Sequence, residues 1–132
     1  MASELRVNTL KDASGNNAVA MSNVAEGTLK AWVNFNGTGT IAARDSLNLS
    51  SLTDHGTGSY EITYSNAWSA VTYAFTGTCG QNTGTSRNAG ITFDDHTTTP
   101  STTSHRILSR RRDDQSNSDC ANEHCHVVGD LA

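Results

Sequence analysis

Residues 28–40 read TLKAWVNFNGTGT, and this stretch decides the fold. Four of its apolar residues lie two positions apart: Leu29, Ala31, Val33 and Phe35. This spacing is the period of a strand that buries one face. Asn36-Gly37 then supplies a dipeptide typical of a hairpin turn, and the alternation resumes with Ile41 and Ala43. The stretch therefore predicts a hairpin whose apolar face must be covered by a second sheet or by another chain.

Alternation farther along the chain predicts more short strands. With the hairpin, the predicted strands are 4–11, 28–36, 41–49, 59–64, 71–75, 91–93, 105–110 and 123–128. In the strand 41–49 the odd-numbered residues, through Leu47 and Leu49, are expected to face inward. Residues 76–80 are expected to end the strand 71–75, and no segment shows a sustained helical period. These patterns predict an all-β fold, a compact β-sandwich of about seven or eight short antiparallel strands.

The length of 132 residues is typical of one domain. Residues 1–26 are too few to bury their own apolar side chains and are predicted to form an extended N-terminal arm, with Leu5, Val7 and Leu10 as attachment residues. Residues 27–132 are predicted to form the sandwich. Ser, Thr, Asn and Gly account for 56 residues and only 35% of the chain is hydrophobic. The core of one chain is therefore thin, and we expect the chain to form an oligomer.

The charge of the chain argues against nucleic acid as a partner. The formal net charge is -4, and the basic run 110–112 is followed directly by Asp113 and Asp114. No run approaches the roughly 18 apolar residues of a membrane span, and the first residues lack the features of a secretory signal. We therefore expect no membrane insertion and synthesis in the cytoplasm. Three cysteines without paired spacing predict no disulfide framework.

His124 and His126 form the sharpest local motif. Residues two apart on a strand point the same way, so a three-fold axis beside this strand would gather six imidazoles, which suit a transition metal. The alternative is that both are ordinary strand residues, with Cys125 and Val127 packing on the other side. Cys120 and Cys125 lack a second cysteine pair to complete a structural zinc site. No other cofactor is expected.

Aromatic and histidine side chains provide the candidate contact residues. The candidate receptor or interface residues are Trp32, His55, Trp68 and His96. Trp32 lies on the opposite face of its strand from Ala31 and Val33, so it either packs into a subunit interface or is exposed for recognition. The two tryptophans and the tyrosines could form a sugar-binding platform or a core. His55 and His96 each follow aspartate in a polar loop, where they could bind a cation or be ordinary loop residues.

Three segments carry a resemblance to a known group of proteins. They are 5–17 (LRVNTLKDASGNN), 30–40 (KAWVNFNGTGT) and 45–54 (DSLNLSSLTD). Together they resemble the tail-fibre and related virion proteins of marine and freshwater cyanobacterial phages. The resemblance implies a trimeric, all-β virion component whose arm meets other virion proteins of the tail or baseplate and whose distal face meets the host, including its surface glycans. It brings no established catalytic residues.

The chain is much shorter than many phage fibres, since no shaft is present. The expected function is a short tail-fibre subunit for host attachment, located in the virion; the alternative is a trimeric decoration protein that cements the capsid. An enzymatic alternative is a small depolymerase of surface polysaccharide, which would need paired carboxylates. Asp94, Asp95 and Glu61 are the candidates, but Asp94 and Asp95 would face opposite sides of a strand. We therefore expect a protein that is not an enzyme.

The thin core predicts an oligomer, and the resemblance to phage fibres implies that the purified chain forms a homotrimer. Light scattering should give a mass of about three times 14.0 kDa. A monodisperse monomer at micromolar concentration would contradict this prediction.

Overall fold

The computed structural model describes residues 3–80, 89–93, 99–111 and 114–132. These residues form ten strands and one helix, in the order β1 (Thr9–Lys11), β2 (Ala18–Ala20), α1 (Met21–Gly27), β3 (Leu29–Asn36), β4 (Ala42–Leu47), β5 (Leu49–Asp54), β6 (Ser59–Tyr64), β7 (Ala74–Gly80), β8 (Ala89–Phe93), β9 (Ser104–Arg111) and β10 (Asn122–Val128). The prediction of a predominantly β chain is confirmed.

Eight strands form one antiparallel sheet in the order β4-β3-β10-β7-β8-β9-β6-β5, while β1 pairs only with β2 in a separate hairpin. The outermost strands, β4 and β5, are joined by the single residue Asn48. The sheet therefore curls until its two edges meet and forms a nearly closed barrel. The predicted antiparallel arrangement is confirmed, but the predicted sandwich of two sheets is replaced by one continuous sheet. Its eight strands leave out the predicted strand 4–11 and include β5, which is not separated from the predicted strand 41–49.

Asn48 makes the corner between the two edges possible. Its φ angle is 59°, in the left-handed region that asparagine tolerates better than most residues. The Asn48 Oδ1 accepts a hydrogen bond of 2.7 Å from the backbone N–H of Asn66, and its Nδ2 donates to the Asn66 carbonyl at 3.2 Å. The backbone N–H of Ser65 donates to the Asn48 carbonyl. The corner is thus tied to the chain that leaves β6.

The inner face of β3 forms part of the core, as the opening stretch of sequence predicts. Ala31 and Val33 are each 2% exposed and Phe35 is fully buried. Leu29, at the start of the strand, is 46% exposed and does not join them. The core also contains residues of β6, β9 and β10, which the barrel brings around the same interior.

A bulge in β4 overturns the predicted inward face of the strand 41–49. Phe35 pairs with Ala43 and Val33 pairs with Ser46, so the partner strand carries one extra residue in this interval. One extra residue reverses the side to which all later side chains point. Leu47 consequently pairs with Trp32 on the outer surface and is 47% exposed. Leu49 packs against the core as predicted, because Asn48 changes the chain direction between them.

An aromatic cluster closes one end of the core. Trp68 is 1% exposed, and its ring centroid lies 5.1 Å from those of both Tyr64 and Tyr73. The backbone N–H of Trp68 donates to the Thr102 carbonyl at 2.8 Å, which holds this turn against the start of β9. Trp68 is one of the receptor or interface residues predicted from the sequence. Its burial corrects that assignment, because a core side chain does not reach a partner at the surface.

Residues 114–121, here called the end segment, pack against the opposite end of the sheet. The Asp119 Oδ1 accepts hydrogen bonds from the Gly58 N–H at 2.6 Å and from the Tyr60 hydroxyl at 2.9 Å. The Arg44 Nη2 donates to the Ala121 carbonyl at 2.6 Å. The Cys120 carbonyl accepts from the backbone of the hairpin turn after β3. The end segment therefore joins three strand ends that are distant in sequence.

The strand β7 extends farther than its glycines predict. Residues 76–80 were expected to end a strand that begins at Val71, but β7 spans Ala74–Gly80, and Val71 lies outside it and is 53% exposed. A Cβ atom at Gly77 would meet the His124 carbonyl oxygen at 2.9 Å. Gly77 therefore allows close packing within the sheet, and it does not mark a turn.

The N-terminal segment lies outside the core. The predicted strand 4–11 is regular only at its end, in β1, and the unpredicted helix Met21–Gly27 follows β2. The exposed arm residues are Leu5 at 80%, Val7 at 37% and Leu10 at 46%. The Lys30 Nζ donates to the Val24 carbonyl at 3.3 Å, which connects the helix to the start of β3. The division of the chain at residue 26 stays a prediction.

Replacing Gly58 with alanine should destabilise the barrel more than the same change at Gly39. Both glycines have φ near +63°, so both replacements incur the roughly 1–2 kcal/mol cost of a left-handed side chain. Only at Gly58 would the new Cβ meet backbone atoms, the Ser109 oxygen at 2.6 Å and the Ser118 nitrogen at 2.7 Å. We expect Gly58→Ala to lower the free energy of unfolding by about 1–3 kcal/mol more, the usual cost of overpacking.

Urea denaturation of both variants measures the difference directly. Gly39→Ala serves as the matched control, since nothing lies within 4 Å of its new Cβ. Equal losses in the two variants would contradict the close packing of the end segment on Gly58.

Candidate functional site

The outward-facing side of four adjacent strands brings several sequence-predicted residues together. Direct pairing across the sheet sets up two rows, which we call the outer patch: Leu47, Trp32, His126 and Thr76 in the first, and Asp45, Asn34, His124 and Thr78 in the second. Each row spans β4, β3, β10 and β7, a width of roughly 15 Å at the usual strand spacing. The predictions that His124 and His126 share a face, and that Trp32 faces away from Ala31 and Val33, are confirmed.

The outer patch combines apolar and hydrogen-bonding side chains. Trp32 and His124 are half-buried by their neighbours, whereas His126 is exposed and Leu47 is 47% exposed. The Asn34 Oδ1 accepts a hydrogen bond of 3.0 Å from the Arg44 Nη1, which fixes the orientation of this amide. The patch can therefore offer an aromatic surface beside imidazole, amide and hydroxyl groups, but it holds no pair of carboxylates.

Part of the outer patch was accessible to sequence analysis. Asn34 lies two positions after Trp32 in the same strand, so the alternation already places the two side chains on one face. Thr76 and Asp45 carry no such signal. Their positions depend on the pairing of β7 with β10 and on the bulge in β4.

A small apolar pocket lies beneath Trp32, between β3, the Asn48 corner and β6. Leu47, Leu49 and Ile62 contribute to its lining, and its cavity volume is about 10 Å³, roughly the space of one water-sized sphere. Sites for drug-sized ligands are usually about 300–1,000 Å³. This pocket is therefore too small to be a ligand site.

His55 lies away from the outer patch and is paired. Its Nε2 is 2.9 Å from the Glu61 Oε2. Hydrogen bonds from the side chains of His55 and then Ser104 lower the pKa of Glu61. Glu61, a candidate carboxylate for polysaccharide cleavage, is thus hydrogen-bonded to His55. The other candidates, Asp94 and Asp95, and the contact residue His96 lie outside the described residues.

A buried polar group at the centre of the barrel was not predicted. The His105 Nδ1 lies 2.6 Å from the Tyr64 hydroxyl, and its Nε2 lies 3.9 Å from the Cys125 Sγ. The His105 and Tyr64 rings are stacked with their centroids 5.6 Å apart. Burial lowers the pKa of His105 to about 4 and raises the pKa of both Tyr64 and Cys125. All three groups are therefore neutral near pH 7.

Cysteine beside histidine is also the arrangement of thiol nucleophiles. Cys125 is 1% exposed and His105 is 2% exposed, so no substrate reaches them in this fold. The raised pKa of Cys125 also keeps its thiol protonated. Cys125, His105 and Tyr64 are therefore core residues whose polar atoms contact one another. Cys120 lies elsewhere, beside Cys79, so the two cysteines considered together for zinc are not brought together.

Comparisons of the chain with protein-family models, with curated proteins and with solved structures find no match. The described residues include no helix that is both long enough and apolar enough to cross a membrane.

The neutral, buried His105 contributes stability that is lost in acid, while Glu123, whose pKa burial raises to about 8, contributes in the opposite direction as the pH falls from 8 to 4.5. The unfolded chain protonates this imidazole near pH 6.5, whereas the folded chain does so only near pH 4. The stability that depends on neutral His105 is therefore complete above pH 6.5 and is lost as the pH falls towards 4. The loss is on the order of 3 kcal/mol. The titratable groups that face His105 are Tyr64, Tyr73 and Cys125, and the charge of Glu61 acts to raise the pKa of His105.

Thermal melting between pH 7 and 4 checks this dependence. Relative to its own melting temperature at pH 7, His105→Gln should lose less on acidification to pH 4 than the natural chain does, because protonation of this imidazole no longer contributes. His126→Gln, on the exposed outer patch, is the matched control and should keep the slope of the natural chain. An unchanged slope in His105→Gln would assign the acid sensitivity to other groups.

Proposed function

We propose that this chain is a structural protein of a phage virion, a short tail-fibre subunit that acts as a homotrimer in attachment to the host. Its role is non-catalytic adhesion. The outer patch is the surface that meets the host, and the exposed N-terminal segment attaches the subunit to the tail or baseplate.

The outer patch is the observation that carries this proposal. Trp32 and Asn34 come from the segment 30–40, which is one of those that resemble cyanobacterial phage fibres. Tryptophan is enriched among residues that dominate binding energy, because its large flat ring is apolar and its N–H can still donate. With His126 and Thr76 in the same row, the patch offers hydrogen-bonding groups around that ring. A glycan of the host surface, with hydroxyl edges and apolar ring faces, suits this combination.

The exposed apolar residues of the arm support the attachment role. Leu5 is 80% exposed and Leu10 is 46% exposed, on a segment whose short hairpin does not join the large sheet. Burying such a side chain against a partner contributes roughly 1.5–3 kcal/mol. The partner that this predicts is another virion protein.

The histidines of the outer patch have a competing use in a trimer. If β10 faces the three-fold axis, His124 and His126 from three chains supply six imidazoles to one metal ion. That packing would turn Trp32 towards the axis and hide it from the host, because Trp32 pairs with His126. The two uses therefore exclude each other, and we assign the patch to host contact.

Replacing Trp32 with alanine should weaken attachment of the labelled protein to cyanobacterial cells at least about tenfold, the loss expected of a residue that dominates an interface. Binding is measured by flow cytometry with and without a chelator. The matched control is Val71→Ala, an exposed apolar residue outside the outer patch, which should bind normally. Both variants should melt at the temperature of the natural chain. Unchanged binding of the Trp32→Ala protein would overturn the assignment of the patch.

Antibody labelling of virions distinguishes a location of this chain on the tail from a location on the capsid. An antibody against this chain should label the tail tip or baseplate in electron micrographs. Label on the capsid faces would support the alternative, a trimeric decoration protein. Virions without any label would contradict the proposal that this chain is a virion protein.

A further inference from the structure

Three side chains with metal-binding atoms meet inside the end of the barrel. Cys79 of β7 pairs directly with Glu123 of β10, and Cys120 lies in the end segment that packs over them. The two sulfur atoms and a carboxylate oxygen all lie within 4.8 Å of one another. The extension of β7 to Gly80 is what places Cys79 in this position.

Glu123 gives an independent sign that something is bound here. Its side chain is fully buried, and its Oε1 accepts a hydrogen bond of 2.7 Å from the Ser109 hydroxyl. Its Oε2 is buried without a hydrogen-bond partner, and no ion pair to Glu123 occurs within the described part of the chain. Burial raises the pKa of Glu123 to about 8, so without a cation the group is largely a neutral acid near pH 7, and its buried Oε2 still lacks a hydrogen-bond partner. A cation held by the Glu123 carboxylate and the two thiols would supply that partner.

We propose that Cys79, Cys120 and Glu123 form a binding site for one thiophilic divalent cation of the zinc class. Two sulfur ligands select such an ion over Mg²⁺ or Ca²⁺, which prefer oxygen alone. Ligand atoms around tetrahedral zinc are about 3.5–3.8 Å apart, given Zn–S and Zn–O distances near 2.3 and 2.1 Å. Closing from 4.8 Å therefore takes side-chain adjustments of about 1 Å. The fourth position is open to water.

The surroundings fit a site that takes up its ion from solution. Cys120 and Glu123 are fully buried, whereas Cys79 is half-buried and gives access from one side. Binding displaces the protons of both thiols and the proton that the buried Glu123 carboxyl holds near pH 7, and all of these pass to solvent. The bound ion would link β7, β10 and the end segment, so it should stabilise the folded chain. None of this depends on the role of the outer patch.

Cobalt(II) is the probe, because its thiolate complexes absorb in the near ultraviolet and its tetrahedral complexes absorb in the visible. We expect the reduced full-length chain to bind one Co²⁺ per chain with both absorptions, to lose them when Zn²⁺ is added, and to melt at a higher temperature with either ion. Cys79→Ser should remove the thiolate absorption. Glu123→Gln keeps the shape of the side chain and the hydrogen bond from Ser109. It should weaken metal binding at least about tenfold, since removing a group that only hydrogen-bonds to a metal ligand already lowers the affinity by that factor.

Two matched controls test the assignment of the ligands. Cys125→Ala removes the cysteine outside the cluster, and the double change His124→Gln with His126→Gln removes the competing histidine site. Both should keep the thiolate absorption of the natural chain. If Cys79→Ser fails to fold, protection of Cys79 in the natural chain from alkylation by added Zn²⁺ provides the second measurement.

Three results would overturn the proposal. One is the absence of thiolate-to-cobalt absorption in the fully reduced chain. A second is an absorption that Cys125→Ala removes and Cys79→Ser does not. The third is a freshly purified chain whose mass is lower by two hydrogens because Cys79 and Cys120 form a disulfide. The cluster would then be a redox pair, and the Glu123 Oε2 would have no cation as its partner.

Discussion

The closure of the sheet at Asn48 is the constraint on which the rest of the structure depends. This residue belongs to the connection between both edge strands, and its amide group is hydrogen-bonded to the backbone of Asn66. A corner of one residue forces β4 and β5 to lie close together, so the eight strands surround a single interior. The same corner sends Leu47 to the surface and Leu49 into the core. Among the described residues β4 and β5 do not pair with each other, so this corner is what keeps the two edges close.

A closed interior requires its polar groups to find partners within it. Most of them do, since Asp119 accepts from Tyr60, His105 is bonded to Tyr64, and Ser109 donates to Glu123. Among the buried atoms without a partner in the described part of the chain are the Trp68 Nε1 and the Glu123 Oε2. The first is one neutral donor at the edge of an aromatic cluster. The second is a carboxylate oxygen beside two thiols, and for that reason it points to a bound cation.

The barrel separates two possible activities by placing them on opposite sides of the same strands. On β10, His124 and His126 face outward beside Trp32, while Glu123 and Cys125 face inward. The outer patch suits contact with a large partner, since it is broad and its pocket is small. The inner cluster suits an ion, since only Cys79 gives it access. A substitution in the outer patch therefore leaves the inner cluster intact, and the reverse also holds, because neighbouring residues of a strand point to opposite sides.

The sequence by itself determined the strand character of β3, β6, β9 and β10 and the faces of Trp32, His124 and His126, because alternation with period two is a local property of the chain. Which strands are neighbours became known from the fold. That pairing produced the bulge that exposes Leu47, the burial of Trp68, and the extension of β7 that brings Cys79 to Glu123. Each depends on contacts between segments distant in sequence, whose register no local pattern specifies.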